Sequence, residues 1–85
     1  MNYFDVTGRL REKIDDKFRY LEYELPDLRE PDEGESRIVC CYWTKQPNSR
    51  LIQLADHTRV IIHGHLEPTE KFGTILVVEH LESLH

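Results

Sequence analysis

The run R-I-V-C-C-Y-W-T-K places one tryptophan near two cations. If Arg37 to Lys45 is a strand, alternation puts Arg37, Val39, Cys41, Trp43 and Lys45 on one face. Ile38, Cys40 and Tyr42 take the other face. Sequence-tolerant binding of a single nucleic-acid strand needs a flat π surface with cations along a groove. Stacking contributes about 1–3 kcal/mol per base. The plain alternative is a Trp packed at a subunit interface, where Trp and Arg are also enriched.

Other residues could extend that chemistry. Arg9, Arg11 and Arg59 fall on outward positions of their strands and could continue a phosphate track. Singly, each reads as ordinary surface charge, paired in part with Glu22 and Glu24. His63 and His65 share a strand face, where neutral imidazoles can stack on bases or make binding pH-dependent. Two imidazoles do not make a zinc site, which wants three or four ligands. His57 and His80 join them in inviting a metal reading, but Cys40 and Tyr42 should face the core and Cys41 lies on the wrong strand for an obvious pair, so no metal is expected. Cys40 and Cys41 have no base-and-orienter partners for nucleophilic catalysis. The acids show no paired pattern for proton transfer, and no glycine-rich phosphate loop is present. The expectation is a non-enzymatic chain with no cofactor.

These side chains need strands to hold them. T-R-V-I-I-H-G-H-L, Thr58 to Leu66, alternates strictly. Val60, Ile62 and Leu66 fall on one face with Gly64; Arg59, Ile61, His63 and His65 fall on the other. A glycine inside a strand marks a bend or a close backbone approach. Asn2 to Arg11 reads as a first strand with Phe4, Val6 and Leu10 inward and Gly8 at a bend. Glu12 to Lys17 is a polar link. Phe18 to Leu25 is a second strand with Leu21, Tyr23 and Leu25 inward and Tyr20, Glu22 and Glu24 outward. Pro26 stops it. Arg37 to Lys45 is the third. After Pro47, Asn48 or Ser49 caps a short helix whose Leu51, Leu54 and Ala55 face the barrel bottom. Thr58 to Leu66 is the fourth strand and Glu67 to Gly73 a hairpin loop. Thr74 to Leu81 is the fifth, with Leu76 and Val78 inward. Its outer Ile75 and Val77 are also apolar, which predicts either a buried outer edge or a dimer contact.

Strand, strand, strand, helix, strand, strand is the order of an all-β, five-stranded OB-fold Greek-key barrel with one short helix between strands 3 and 4. Eighty-five residues fit one domain, 1–85, near the lower limit for a self-sufficient core. A homodimer is expected on that ground and on base rates. No apolar run approaches the ~20 residues of a membrane helix. M-N-Y-F-D-V has no basic leader or apolar signal, and the adjacent cysteines cannot form a staple, so a cytoplasmic location is expected.

The net charge of −5 argues against nucleic acid at face value. Its distribution softens that. Residues 27–35 carry five acids against Arg29, so −4 of the −5 lies in one acidic loop. A bound polyanion feels the local face more than the total.

The same residues resemble a family. N-Y-F-D-V-T-G-R-L resembles the first strand of bacterial single-stranded DNA-binding proteins, with Asn2, Gly8, Arg9 and Leu10 in register. R-I-V-C-C-Y-W-T-K resembles their third strand, with Trp43, Thr44 and Lys45 in the aromatic-small-Lys places. V-I-I-H-G-H-L resembles the fourth, with His65 where arginine is usual, and T-I-L-V-V-E-H-L-E-S-L resembles the closing strand. The pattern is also similar to the primosomal replication protein, a short relative without the acidic C-terminal tail; this chain likewise stops after strand five. Arg37 stands where the family often has a second stacking tryptophan, and the acidic loop stands where a basic or aromatic one is usual.

The resemblance implies an oligomeric binder of single strands, with Trp43 as stacking platform and Arg9 and Lys45 along the backbone. The expected nucleic-acid-binding residues are therefore Arg9, Arg11, Arg37, Trp43, Lys45, Arg59, His63 and His65. The expected partner is single-stranded DNA ahead of RNA, in replication or repair, with a replication or repair protein as a further partner. The rival expectation is an OB-fold protein–protein adaptor that has lost nucleic-acid binding.

Overall fold

Period-two alternation builds five strands, and their curvature closes them. The computed structural model describes residues 3–24 and 37–84. Strands β1 (Tyr3–Lys13), β2 (Phe18–Tyr23) and β3 (Arg37–Tyr42) precede helix α1 (Arg50–Gln53). Strands β4 (Arg59–Thr69) and β5 (Gly73–Ser83) follow it. They close in the order β1-β2-β3-β5-β4. All neighbours are antiparallel except β3 and β5, which run parallel. This is the expected OB-fold barrel, with its helix between β3 and β4. The expected acidic loop at 27–35 and the inward Leu25 lie outside the described residues.

The barrel interior holds Leu10, Leu21, Cys40, Leu51, Val60, Ile62, Leu76 and Val78, all buried, with Phe4, Val6, Tyr23, Ile38 and Tyr42 packed against them. Two glycines let strands come close. A Cβ on Gly8 would overlap the Glu22 carbonyl oxygen, and one on Gly64 the Val77 carbonyl oxygen. Gly64 also borders the register shift between β4 and β5, so this is where the long hairpin bends.

Several boundaries differ from the sequence reading. β3 ends at Tyr42, not Lys45: the Lys45 amide donates to the Tyr42 carbonyl at 2.9 Å and Lys45 has φ +58°. The β4–β5 hairpin is longer than expected. The Thr69 hydroxyl donates to the Gly73 carbonyl at 2.7 Å and accepts from the Phe72 amide at 3.0 Å. That closes the turn and carries the ladder through Pro68 to Thr69. In the one-turn helix Leu51 and Ile52 are buried, whereas Ala55, expected at the barrel bottom, is exposed. The chain is already extended at Leu54 (ψ 149°), so helical spacing stops before Ala55.

The outer apolar residues of β5 are covered by the same chain. Ile75 and Val77 are each 2% exposed and form a second core with Val39 and Cys41. Ile14, Phe18, Tyr20 and Phe72 pack against it, with the Phe18 and Phe72 rings 4.9 Å apart. Of the two outcomes expected for these positions, the structure has the buried outer edge. Among the described residues no helix is long and apolar enough to cross a membrane.

Candidate nucleic-acid interface

Trp43 follows the last residue of β3. Its amide donates to the Val78 carbonyl at 2.9 Å, which extends the β3–β5 pairing by one step. Its side chain is 54% exposed, and its ring centroid lies 6.3 Å from that of Tyr42. Lys45 leaves the strand in the following turn, so the expected line from Arg37 through Trp43 to Lys45 does not form. Trp43 and Lys45 share the turn, and Arg37 stands at the far end of β3.

Acids hold most of the other expected cations. The Arg37 guanidinium lies over the Tyr20 ring, 4.9 Å from its centroid, and pairs with Glu12 at 2.7 Å. Arg11 pairs with Glu22 at 2.8 Å and approaches Asp56 at 3.5 Å. Arg59 donates to both carboxylate oxygens of Glu24. This hydrogen bonding holds Glu24 below its ordinary pKa and Arg59 above its own. Arg9 is the exception: among the described residues its guanidinium hydrogen-bonds a carbonyl, that of His57, at 3.3 Å, and no carboxylate lies within ion-pair distance.

The two histidines lie beside β1 and β5. His63 Nδ1 is 2.7 Å from Asp5, and its ring stacks on Tyr3 at 5.7 Å, within 5° of parallel. His65 Nε2 lies 2.8 Å from Glu67 and its Nδ1 2.9 Å from Glu79. The hydrogen bond to Glu67, and Glu79 beyond it, push the His65 pKa up. The ring sits between two carboxylates, so even its protonated form brings no net positive charge to the face. Among the described residues no group of three or more His, Cys, Asp or Glu is arranged to hold a metal ion.

The thiols do not reach solvent. Burial pushes the Cys40 pKa up to about 12 and raises that of Cys41.

Sequence reasoning missed Arg19, which is fully buried. Its Nε and Nη2 donate to the Arg11 carbonyl at 2.9 and 2.7 Å. Its Nη1 reaches the carbonyls of Leu51, Ile52 and Leu54 at 3.0, 3.3 and 2.8 Å. One guanidinium thus satisfies the helix end and ties it to β1. The signal was in the sequence: Arg19 has the parity of Leu21 and Tyr23 and so points inward.

The arrangement offers an exposed aromatic and a neighbouring lysine at the margin of the β2–β3 face. The centre of that face is filled by the second core. Comparison with protein-family models, curated proteins and solved structures gives no match.

Proposed function

We propose that this chain binds single-stranded nucleic acid without catalysis, weakly and with little sequence preference, using Trp43 to stack a base. The observation that supports it is the half-exposed Trp43 ring at the end of β3 of an OB barrel, with Lys45 in the next turn. A large aromatic left in water on a small domain is costly unless something covers it.

The ion pairs set the expected strength. Five cations on the track would give a log–log salt slope of about −3.5 for a single strand, and two would give about −1.4. Arg11, Arg37 and Arg59 are held by acids, so Arg9 and Lys45 remain and the shallower slope is expected. DNA ahead of RNA, a homodimer, a cytoplasmic setting and a role in replication or repair belong to the same proposal.

The second reading, a protein–protein adaptor, is favoured by those same ion pairs, which remove most of the local positive charge. Retention on immobilised oligo-dT separates the two. Under the first reading, Trp43→Ala abolishes retention at low salt while the barrel stays folded by circular dichroism. Unchanged retention in that variant removes Trp43 from the site. No retention of the native chain leaves the adaptor reading in place.

A further inference from the structure

Arg9 on β1 and Arg59 on β4 are direct cross-strand partners. Like charges directly opposite each other on neighbouring strands are unfavourable, so the pair calls for an anion beside it. Glu24 hydrogen-bonds Arg59, accepting from its Nε at 3.1 Å and Nη2 at 3.2 Å, and feels the Arg9 charge at longer range. Arg9 is left with the His57 carbonyl, at the long end for a hydrogen bond.

His57 shapes the turn beside this pair, with φ +73° in the left-handed region, where histidine is one of the enriched non-glycine residues. Its amide donates to the Leu10 carbonyl at 2.7 Å, which fixes the turn beside β1. A like-charge pair in which one guanidinium is held by a single long hydrogen bond to a carbonyl points to a site rather than to packing.

The place is a cleft. An open hollow of about 630 Å³ lies between the two arginines, the His57–Thr58 turn and the end of β5. Leu54 and Leu84 give it apolar walls, and Ser83 adds a hydroxyl. The Thr58 hydroxyl is already used on the Ala55 carbonyl at 2.7 Å. Among the described residues the acids nearby are Glu24 on Arg59, Glu22, which stands opposite Arg9 on β2 and pairs with Arg11, and Asp56, 4.0 Å from His57.

We propose that this cleft binds a phosphate group, and specifically the terminal phosphomonoester of a single strand. A terminal phosphate carries nearly −2 charge at pH 7, whereas an internal phosphodiester carries one. Glu24 already occupies one side of Arg59, so a competing anion needs the higher charge. The cleft therefore favours the end of a strand over its middle. Arg9 and Arg59 supply charge-assisted donors, and Leu54 and Leu84 lie beneath the attached sugar. The identity of the phosphate's carrier rests on the single-strand reading; the phosphate site does not.

The test is amide NMR of the full chain, titrated with inorganic phosphate at constant ionic strength. Oligo-dT with and without a terminal phosphate follows, for the native chain and Arg9→Gln. Phosphate is expected to shift the amides of His57, Thr58, Ser83 and Leu84 saturably. The phosphorylated oligonucleotide is expected to bind about tenfold tighter than the unmodified one, and Arg9→Gln to bring that ratio to about one. If phosphate moves the cleft but neither oligonucleotide binds, the phosphate site stands and the single-strand reading fails. If both oligonucleotides bind equally and phosphate leaves the cleft unmoved, the inference is overturned while that reading survives.

Discussion

Arg59 closes a two-bond fork on Glu24, 35 residues away in sequence, with donor distances of 3.1 and 3.2 Å. An arginine expected to meet phosphate instead meets a carboxylate of its own chain. The pairing is half exposed on both sides, so a stronger anion can compete for it. Glu24→Gln should raise affinity for oligo-dT several-fold and steepen the log–log salt slope by about 0.7. A salt titration of the variant beside the native chain reads both. An unchanged slope would mean that Arg59 does not lie on the path of the strand.

Arg19 makes a different kind of claim. Arg19→Met keeps the apolar stem but strands the carbonyls of Arg11, Leu51 and Leu54. Each buried, unpaired acceptor costs about 1–3 kcal/mol, so the expected loss is about 3 kcal/mol or more. Arg19→Lys should recover little, because an ammonium cannot span both sides as the planar fork does. Urea midpoints of the two variants check this, and a loss below about 1 kcal/mol would show that water takes over those carbonyls.

His65 gives stability a pH dependence. Its pKa is raised in the folded chain, through Glu67 first and then Glu79. The protonated form is therefore favoured by folding. That contribution is fully present below the ordinary imidazole value of 6.5 and is lost as pH rises through the raised value. The melting temperature of the native chain minus that of His65→Gln should fall between pH 6 and pH 8. A difference that stays flat over this range would show that the two carboxylates do not hold the imidazolium.

The buried thiols should be inert. Cys40, with its pKa pushed up to about 12, and Cys41, also raised, lie in the two cores. Iodoacetamide should label neither in the folded chain at pH 8 and both in urea. Rapid native labelling would indicate that β3 opens easily, and it would return a thiol nucleophile to consideration.

The barrel was legible because its signal is local. Alternation in Thr58 to Leu66 places Val60 and Ile62 inside and Arg59, Ile61 and His63 outside, as the structure has them. Where local signals were weak the reading slipped. Pro68 suggested a loop, but the Thr69 hydroxyl closes the turn and keeps it in the strand. Lys45 looked like the next step of β3, but the backbone turns after Tyr42. The site was less legible than the fold because charge pairing depends on register. The surface-charge reading named Glu22 and Glu24, and Arg11 and Arg59 do pair with them, but nothing in the spacing announces that Arg37 finds Glu12 across 25 residues. Likewise Ile75 and Val77 carried no sign of which residues would cover them.

The central claim concerns Trp43, the chain's one tryptophan, and its own fluorescence reports on it. Oligo-dT is titrated into the native chain at low and then moderate salt. The account expects strong quenching that weakens as salt rises, which places a stacked base on the indole. No change at micromolar DNA, with emission already blue-shifted and dependent on protein concentration, would contradict it and make the Trp43 face a contact between protein surfaces.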